Sequence, residues 1–194
     1  MIIKTITTNK KTNNMTSCNL GNWNKACENQ VNEQINLEFW ASYQYDLMSS
    51  YFDRSSVGMK NIAAFFRKAS NEEREHAHKL MDYQNLRGGI VVLTPFPSVD
   101  LDFLKTPNPQ TSTNDVLLSF EKALEMEQTV YQSLLKLHKV ADENNDPQFA
   151  DFVEGTYLEE QVEALNEMAK YVSQVQRINN DGHGLWNFDR EFES

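Results

Sequence analysis

The sequence predicts an all-α protein, built as a four-helix bundle with one long crossover loop and a short fifth helix near the C-terminal end. Four long stretches repeat apolar residues at alternating steps of three and four, which is the spacing of one helical face. Glycine and proline are few, at seven and five among 194 residues, so little interrupts these stretches. The length fits a single domain with a sizeable core.

The first two helices each carry polar residues in the middle of an apolar face. The first is predicted from about Trp23 to Phe52, and the second contains the run Glu72-Glu73-Arg74-Glu75-His76. The first face reads Val31, Ile35, Glu38, Ser42, Tyr45, Ser49 and Phe52. The second face reads Ile62, Phe66, Ala69, Glu73, His76, Leu80 and Tyr83. A carboxylate and an imidazole one turn apart therefore interrupt the second face.

The third and fourth helices repeat this anomaly. The third is predicted from about Asp115 to Glu143, and the fourth begins after Asp146-Pro147, an N-cap followed by a proline at the first helical position. The third face reads Leu117, Phe120, Leu124, Glu127, Tyr131, Leu134 and His138. The fourth face reads Glu154, Leu158, Gln161, Leu165, Met168 and Val172. All four helices thus place an oxygen or nitrogen ligand near mid-length.

The stretch from Gly88 to about Thr113 is long and irregular and is predicted to be the crossover loop. Gly88 and Gly89 end the second helix, and residues 90–93 are predicted to form a short extended strand. A connection of this length joins helix ends at opposite poles, which gives two antiparallel helix pairs. The short fifth helix is expected from Leu185 to about Phe192.

The N-terminal 22 residues are polar and contain no acidic residue. We expect a disordered tail over residues 1–22 and the bundle domain over 23–194. Met1-Ile2-Ile3 is too short for the apolar core of a secretory signal, and Asn14 lies in a sequon that matters only in a secreted protein. Two cysteines imply no disulfide framework, so we expect a cytoplasmic protein, with mitochondrial or secreted locations as alternatives.

The charge balance limits the classes of partner. The net charge of −10 argues against nucleic acid and against an anionic membrane surface, and it favours cations. No apolar run approaches the length of a transmembrane helix. We therefore expect neither nucleic acid nor a membrane as a partner.

The buried polar residues predict a metal centre, because burying them without compensation would destabilise the bundle. Carboxylates with one imidazole and an amide suit iron or manganese, whereas structural zinc favours thiolates. The pattern matches di-iron carboxylate bundles, although only one Glu-x-x-His turn is present and Gln161 stands on the fourth helix. We expect Glu38 and His76 to hold one metal and Glu127 a second, weaker one. Glu73 would bridge the two.

Several runs between residues 30 and 191 are shared with one known family. They are 36–45 (NLEFWASYQY), 72–77 (EEREHA), 84–89 (QNLRGG), 132–138 (QSLLKLH) and 151–161 (DFVEGTYLEEQ). Together they resemble the eukaryotic ferritin heavy chain, which is the ferroxidase type of subunit. The resemblance implies a ferritin-like octahedral shell of 24 subunits, of this chain alone or mixed with other ferritin subunits. Such a shell oxidises Fe(II) with dioxygen at two iron sites per subunit and stores an Fe(III) mineral.

The resemblance also assigns roles to individual residues. The ferroxidase residues it implies are Glu38, Tyr45, Glu73, His76, Glu127 and Gln161. Glu72 and Glu75 match carboxylates that lead iron to the mineral, while His78 replaces a usual third acid. Asp151 and Glu154 match the acidic ring of the three-fold channel. Around the four-fold axis, Asn187 replaces an apolar residue and Glu191 replaces a histidine.

Alternative interpretations remain at the level of sequence. A di-iron oxidase or oxygenase acting on an organic substrate would be expected to show two Glu-x-x-His turns and an apolar pocket. A DNA-protecting mini-ferritin would build its metal site between subunits. A non-catalytic structural cage subunit would not need the full ligand set. Asp151 and Glu154 are also explained simply as acidic residues favoured near a helix N-terminus.

Overall fold

The computed structural model describes residues 23–95, 104, 115–179 and 181–192. The helices are α1 (Lys25–Phe52), α2 (Lys60–Leu86), α3 (Asp115–Glu143), α4 (Pro147–Val153), a π-helical turn (Glu154–Leu158), α5 (Glu159–Ile178) and α6 (Gly182–Arg190). The segment α4–π–α5 forms the fourth helix of the bundle. The predicted tail 1–22, including Asn14, lies outside the described residues, as does most of the predicted crossover loop.

Side-chain caps define where two of the helices begin. Asn24 accepts hydrogen bonds from the backbone N–H groups of Ala26 (2.8 Å) and Cys27 (3.1 Å) at the start of α1. Asp146 accepts one from the Phe149 N–H (3.1 Å), with Pro147 in the first turn. Such caps satisfy amides that have no partner within the helix. The cap predicted at Asp146-Pro147 is confirmed.

Contacts between helices fix the topology of the bundle. Helices α1 and α2 are antiparallel, since Gln84 near the end of α2 bonds the carbonyl of Glu28 near the start of α1. Helices α1 and α3 are also antiparallel, because Tyr51 near the end of α1 donates to Asp115 at the start of α3 (2.5 Å). Helices α2 and α3 therefore run parallel, and their connection must cross the length of the bundle. The predicted four-helix bundle with a long crossover and a short last helix is confirmed.

The strand predicted at residues 90–93 is not formed; the structure assigns no strand within the residues it describes. Two asparagine side chains of α1 take the place of a neighbouring strand. Asn32 bonds the Ile90 carbonyl (2.9 Å) and the Val92 N–H (2.8 Å). Asn36 bonds the Val92 carbonyl (2.8 Å) and the Thr94 N–H (2.7 Å). The segment is extended, but its partners are side-chain amides rather than a second backbone.

The apolar core consists of two clusters, with the polar residues of the four faces between them. One cluster lies toward the end of α1 and includes Met48, Tyr51, Phe52, Phe66, Phe120, Val175 and Phe188. The other lies toward the start of α1 and includes Cys27, Val31, Ile35, Leu80, Leu134, Phe149 and Val153. The polar layer at mid-bundle is therefore closed off from both poles by packed side chains.

The inward face of the fourth helix differs from the prediction because of the π-turn. Glu154, placed on that face by the sequence pattern, is exposed, and the buried residues are instead Phe149, Val153, Tyr157 and Gln161. Their spacing of four residues fits the wider π-turn rather than regular α-helix. The π-turn therefore turns Glu154 outward while still bringing Gln161 inward.

The third helix is also rotated relative to its predicted face. Its buried residues include Met126, Glu127, Val130 and Leu134, whereas the predicted Tyr131 is only half-buried. The inward face is broader than a single three-and-four repeat describes, because α3 packs on both α1 and α5. Glu127 and Leu134 remain at the centre of that face.

The last helix is fastened to the start of α2. Asp189 accepts hydrogen bonds from the backbone N–H of Asn61 (3.1 Å), the side-chain amide of Asn61 (3.0 Å) and the backbone N–H of Ile62 (2.9 Å). It thereby caps α2, since the side chain of the preceding Met59 has no oxygen that could accept these bonds. Phe188 is buried beside this cap, while Trp186 stays half exposed.

Candidate metal centre

Three side chains from α1 and α2 converge in the polar layer. Glu38, Glu73 and His76 each offer one ligand atom, and these atoms all lie within 4.8 Å of one another. Glu38 is fully buried, and the exposed fractions of Glu73 and His76 are 6% and 8%. The two helices bring them together because Glu73 and His76 are one turn apart and face Glu38 across the α1–α2 contact.

Two carboxylate oxygens in this group lack partners among the described residues. Glu38 accepts one hydrogen bond, from the side-chain amide of Gln34 to Oε1 (2.7 Å), and its Oε2 has none. Glu73 Oε2 also has none and lies 3.6 Å from His76 Nδ1. Glu38 and Glu73 are close enough to share a hydrogen bond when one of them is protonated, and a cation could take the place of that proton.

Protonation reflects the same crowding of acidic groups. Burial, followed by the nearby charge of Glu73, raises the pKa of Glu38 well above its ordinary value. Burial, followed by the charge of Glu127, raises the pKa of Glu73 from 4.5 to about 8. Without a cation, burial and the neighbouring charges therefore favour bound protons on these carboxylates. A divalent cation that binds here has to displace them.

The opposite side of the layer is closed by internal hydrogen bonds. The Tyr45 hydroxyl donates to Glu127 Oε1, and the Gln161 side-chain amide donates to Glu127 Oε2, both through short bonds. Burial, followed by the charge of Glu127, raises the pKa of Tyr45 far above its ordinary value, so the phenol remains a donor. Both oxygens of Glu127 are therefore occupied, unlike those of Glu38 and Glu73.

The imidazole of His76 is held by residues that the sequence analysis did not assign. Glu160 places an oxygen 3.4 Å from His76 Nε2. Tyr157 donates its hydroxyl to the His76 carbonyl (3.1 Å) and sets its ring edge against the imidazole, with centroids 5.6 Å apart. Glu160 directly precedes Gln161, and Tyr157 lies in the π-turn, so neither follows the apolar repeat that identified the other residues.

A cavity of about 190 Å³ opens onto the layer between α2, α3 and α5. Five carboxylates line it, and the lining also includes His76 and Gln161. The five are Glu72, Glu73, Glu127, Glu160 and Glu167. The one cationic side chain in this lining, Lys68, lies 3.3 Å from Glu72. The carboxylates of this cavity attract cations, although Phe65, Met168 and Tyr171 give part of its wall an apolar character.

A model of the ferritin-like domain matches residues 28–178 of this chain. The chain belongs to the ferritin family. It is 47% identical over 169 residues to the chloroplastic ferritin of Malus baccata var. xiaojinensis, covering 87% of this chain and 65% of that protein. It is 48% identical over 164 residues to the chloroplastic ferritin of Phaseolus vulgaris (84% and 62%) and to chloroplastic ferritin-2 of Zea mays (84% and 63%).

Two further points follow from these relatives. This ferritin spans a little under two thirds of their length. The expectation of a cytoplasmic protein is wrong, because these relatives are named chloroplastic. That expectation rested on the cysteine count and on the lack of a secretory apolar core in residues 1–22, and neither feature distinguishes the cytoplasm from a plastid.

The remaining predicted site residues of this ferritin lie around the centre or away from it. Glu72 lines the cavity, whereas Glu75 is exposed on α2 and is not part of the lining. His78 is exposed and sets its ring against the edge of Phe39. The structure thus brings one of the two predicted mineral-directing carboxylates to the opening of the cavity.

The predicted channel residues lie on the outer surface of the fourth helix. Asp151 is exposed, and Glu154 is exposed with an oxygen 2.6 Å from His138 Nε2. His138, read from the sequence as part of an inward face, also lies 3.5 Å from Asp142. The imidazole of His138 on this surface is therefore flanked by the carboxylates of Glu154 and Asp142.

Among the described helices, none is long and apolar enough to cross a membrane.

Proposed function

We propose that this ferritin oxidises Fe(II) with dioxygen at the mid-bundle centre and stores the Fe(III) product as mineral inside a hollow shell of 24 subunits. The observation that carries the proposal is the pair of buried, unpartnered carboxylate oxygens of Glu38 and Glu73 beside His76. Iron is the substrate here. Mixed carboxylate and imidazole ligands suit it.

Each half of the centre has a distinct part in this reaction. Glu38 and His76 would hold the first Fe(II), and Glu73 would bridge the two ions. Glu127 and Gln161 hold the second Fe(II) once the hydrogen bonds between them open. Tyr45 stays protonated and orients Glu127. Two Fe(II) ions would then be oxidised to two Fe(III), and one dioxygen molecule would take the two electrons and two protons from solvent to give hydrogen peroxide.

The surrounding carboxylates move iron toward and away from the centre. Glu72 and Glu160 lie at the cavity and pass cations between the centre and the interior of the shell. Glu75 adds a further exposed carboxylate on the same helix. Asp151 and Glu154, repeated by symmetry, form an acidic three-fold channel that concentrates Fe(II). We also propose that the bundle domain begins at Trp23, whose buried ring precedes the capping Asn24.

The names of the relatives extend the proposal to the compartment. The Malus, Phaseolus and Zea relatives are all called chloroplastic. We propose a plastid location for this ferritin. An oxidase of organic substrates is less well supported, because the cavity is small and carries five carboxylates among its lining residues.

Rapid-mixing absorbance spectroscopy tests the proposal with two histidines on the same helix. The metal-free protein is mixed with about two Fe(II) per chain in oxygenated buffer, as the parent, as His76→Ala and as His78→Ala. His76 is buried in the centre and His78 is exposed two residues later, so only His76→Ala should lose fast oxidation. Size-exclusion chromatography establishes that each variant still forms a shell. Equal rates in all three proteins would overturn the proposal.

A further inference from the structure

Helix α1 carries a row of buried polar side chains that ends at the candidate metal centre. Gln30, Gln34 and Glu38 follow one another at steps of four residues, so they lie on one side of α1. Gln34 and Glu38 are both fully buried, and Gln30 is 5% exposed. Gln34 is not among the residues that the sequence or the family resemblance assigned to the centre.

The amide of Gln34 makes the two oxygens of Glu38 unequal, because it bonds only one of them. Its N–H donates to Oε1 at 2.7 Å, and Oε2 has no partner among the described residues. A carboxylate with two unbonded oxygens can rotate freely, whereas the bond to Oε1 restricts the rotation of Glu38 and leaves Oε2 as its unbonded oxygen. The orientation of Glu38 beside Glu73 and His76 therefore depends in part on Gln34.

The charge of Glu38 favours the observed orientation of this amide. If the amide turned round, its oxygen would face Glu38, which is repulsive when Glu38 is ionised. In the observed orientation, the amide oxygen of Gln34 has no partner among the described residues, and neither has the amide nitrogen of Gln30, one turn earlier.

We propose that Gln34 is a positioning residue for the first cation of the centre: it occupies Glu38 Oε1 so that Glu38 binds the cation through Oε2 alone. The inference rests on the proposed function. Groups that hydrogen-bond to metal ligands fix the orientation of those ligands, and their removal commonly weakens metal affinity about 10–100-fold. Gln34 meets the cation only through Glu38.

The chain offers a matched control on the same helix. Gln44 is also buried, at 1% exposure, and neither its amide oxygen nor its amide nitrogen has a partner among the described residues. Methionine preserves much of the length of glutamine and removes the amide. Gln34→Met deletes the bond to Glu38, while Gln44→Met removes only unsatisfied polar atoms.

The test uses Co(II) as the probe, in the absence of oxygen and iron. Titrations into the metal-free shell follow the visible absorption of Co(II), which reports ligand number and geometry, and give its affinity. We expect Gln34→Met to weaken the first Co(II) by about 10-fold or more and to alter its spectrum. Gln44→Met should leave both unchanged. A general loss of packing would lower the melting temperature without changing the spectrum of the bound ion.

The outcomes separate this inference from the proposed function. Unchanged affinity and spectrum in Gln34→Met, with Co(II) still lost in His76→Ala, would overturn the positioning role and leave the centre intact. A parent protein that binds no Co(II) at His76 would overturn both. Gln34→Leu provides a second apolar variant if Gln34→Met does not assemble, and the same two readouts apply to it.

Discussion

The two halves of the metal centre are built from similar residues but are prepared differently. On the side of α1 and α2, Glu38 and Glu73 each keep an oxygen without a partner beside His76. On the side of α3 and α5, hydrogen bonds from Tyr45 and Gln161 occupy both oxygens of Glu127. A cation that binds in the first half has to displace protons, whereas in the second half it must break the hydrogen bonds from Tyr45 and Gln161 to Glu127.

The difference shows how one buried layer can hold one cation firmly and release another. Unpartnered oxygens cost stability in the metal-free protein, and a cation recovers that cost when it binds. A half that is already satisfied gains less from its cation. Iron in the second half should therefore leave more readily toward the cavity, which suits a centre that passes its product on to storage.

The largest effect is expected from removing the residue common to both halves. Glu73→Ala removes the carboxylate proposed to bridge the two ions and should slow Fe(II) oxidation more than about 100-fold, since a ligand matters more than a residue that orients one. Glu75→Ala, two residues along and exposed, is the matched control. Stopped-flow oxidation rates of the two variants in assembled shells decide the point, and a Glu73→Ala rate near the parent value would contradict the account.

Removing one hydrogen bond to Glu127 should make cation binding easier in the half formed by α3 and α5. Tyr45→Phe removes the donor to Glu127 Oε1, so the second cation no longer has to break that bond. We expect the second Zn(II) to bind up to about 10-fold more tightly, from the roughly 1–3 kcal/mol cost of the unsatisfied carboxylate in the metal-free protein. Calorimetric titration measures this, and Tyr131→Phe, at a half-buried position on α3, serves as the control. Weaker binding of the second ion would mean that Tyr45 supports it directly.

The raised pKa of Glu73, in the half formed by α1 and α2, also predicts how pH affects the stability of the metal-free protein. The pKa of Glu73 is raised to about 8 from its ordinary 4.5, so between these values the folded chain binds more protons than the unfolded chain. The free energy of unfolding should then fall as pH rises through this window, by on the order of 2–4 kcal/mol. Urea unfolding at pH 5 and pH 8.5 with a chelator tests this. Glu73→Gln should flatten the dependence, and a stability that rises with pH equally in both proteins would refute it.

The smallest effect is expected where neither half is touched. Asp151→Ala combined with Glu154→Ala removes exposed carboxylates from the fourth helix and should slow iron uptake a few-fold through weaker attraction of cations. The spectrum of Co(II) at the centre should be unchanged. Unaltered uptake would return both residues to the simpler role of acidic groups near a helix start.

Most of the centre was readable from the sequence because its ligands interrupt apolar faces. Glu38, Glu73 and Glu127 stand at helical spacing among apolar residues, and a buried carboxylate in such a place is unusual enough to notice. The cap at Asp146 was equally clear, because the following proline marks the first helical turn. The roles of these ligands remain predictions, whereas their convergence follows from the observed packing.

Other features could not be read from the repeat because they depend on tertiary contacts. The π-turn at Glu154–Leu158 shifts the fourth helix by one residue, and no local signal separated it from regular α-helix. Asn32 and Asn36 hold the segment after α2 in place of a strand, a role visible only once the two segments lie together. Gln34 likewise resembles any polar residue until its bond to Glu38 is seen.

The most direct test of the unequal halves is an anaerobic calorimetric titration of Fe(II) into the metal-free shell. The account predicts two classes of site, one ion per chain bound tightly and a second bound more weakly. His76→Ala should remove the tight class, and Gln161→Leu should change only the weak one. Two equivalent sites of equal affinity, or a tight class that survives His76→Ala, would contradict it.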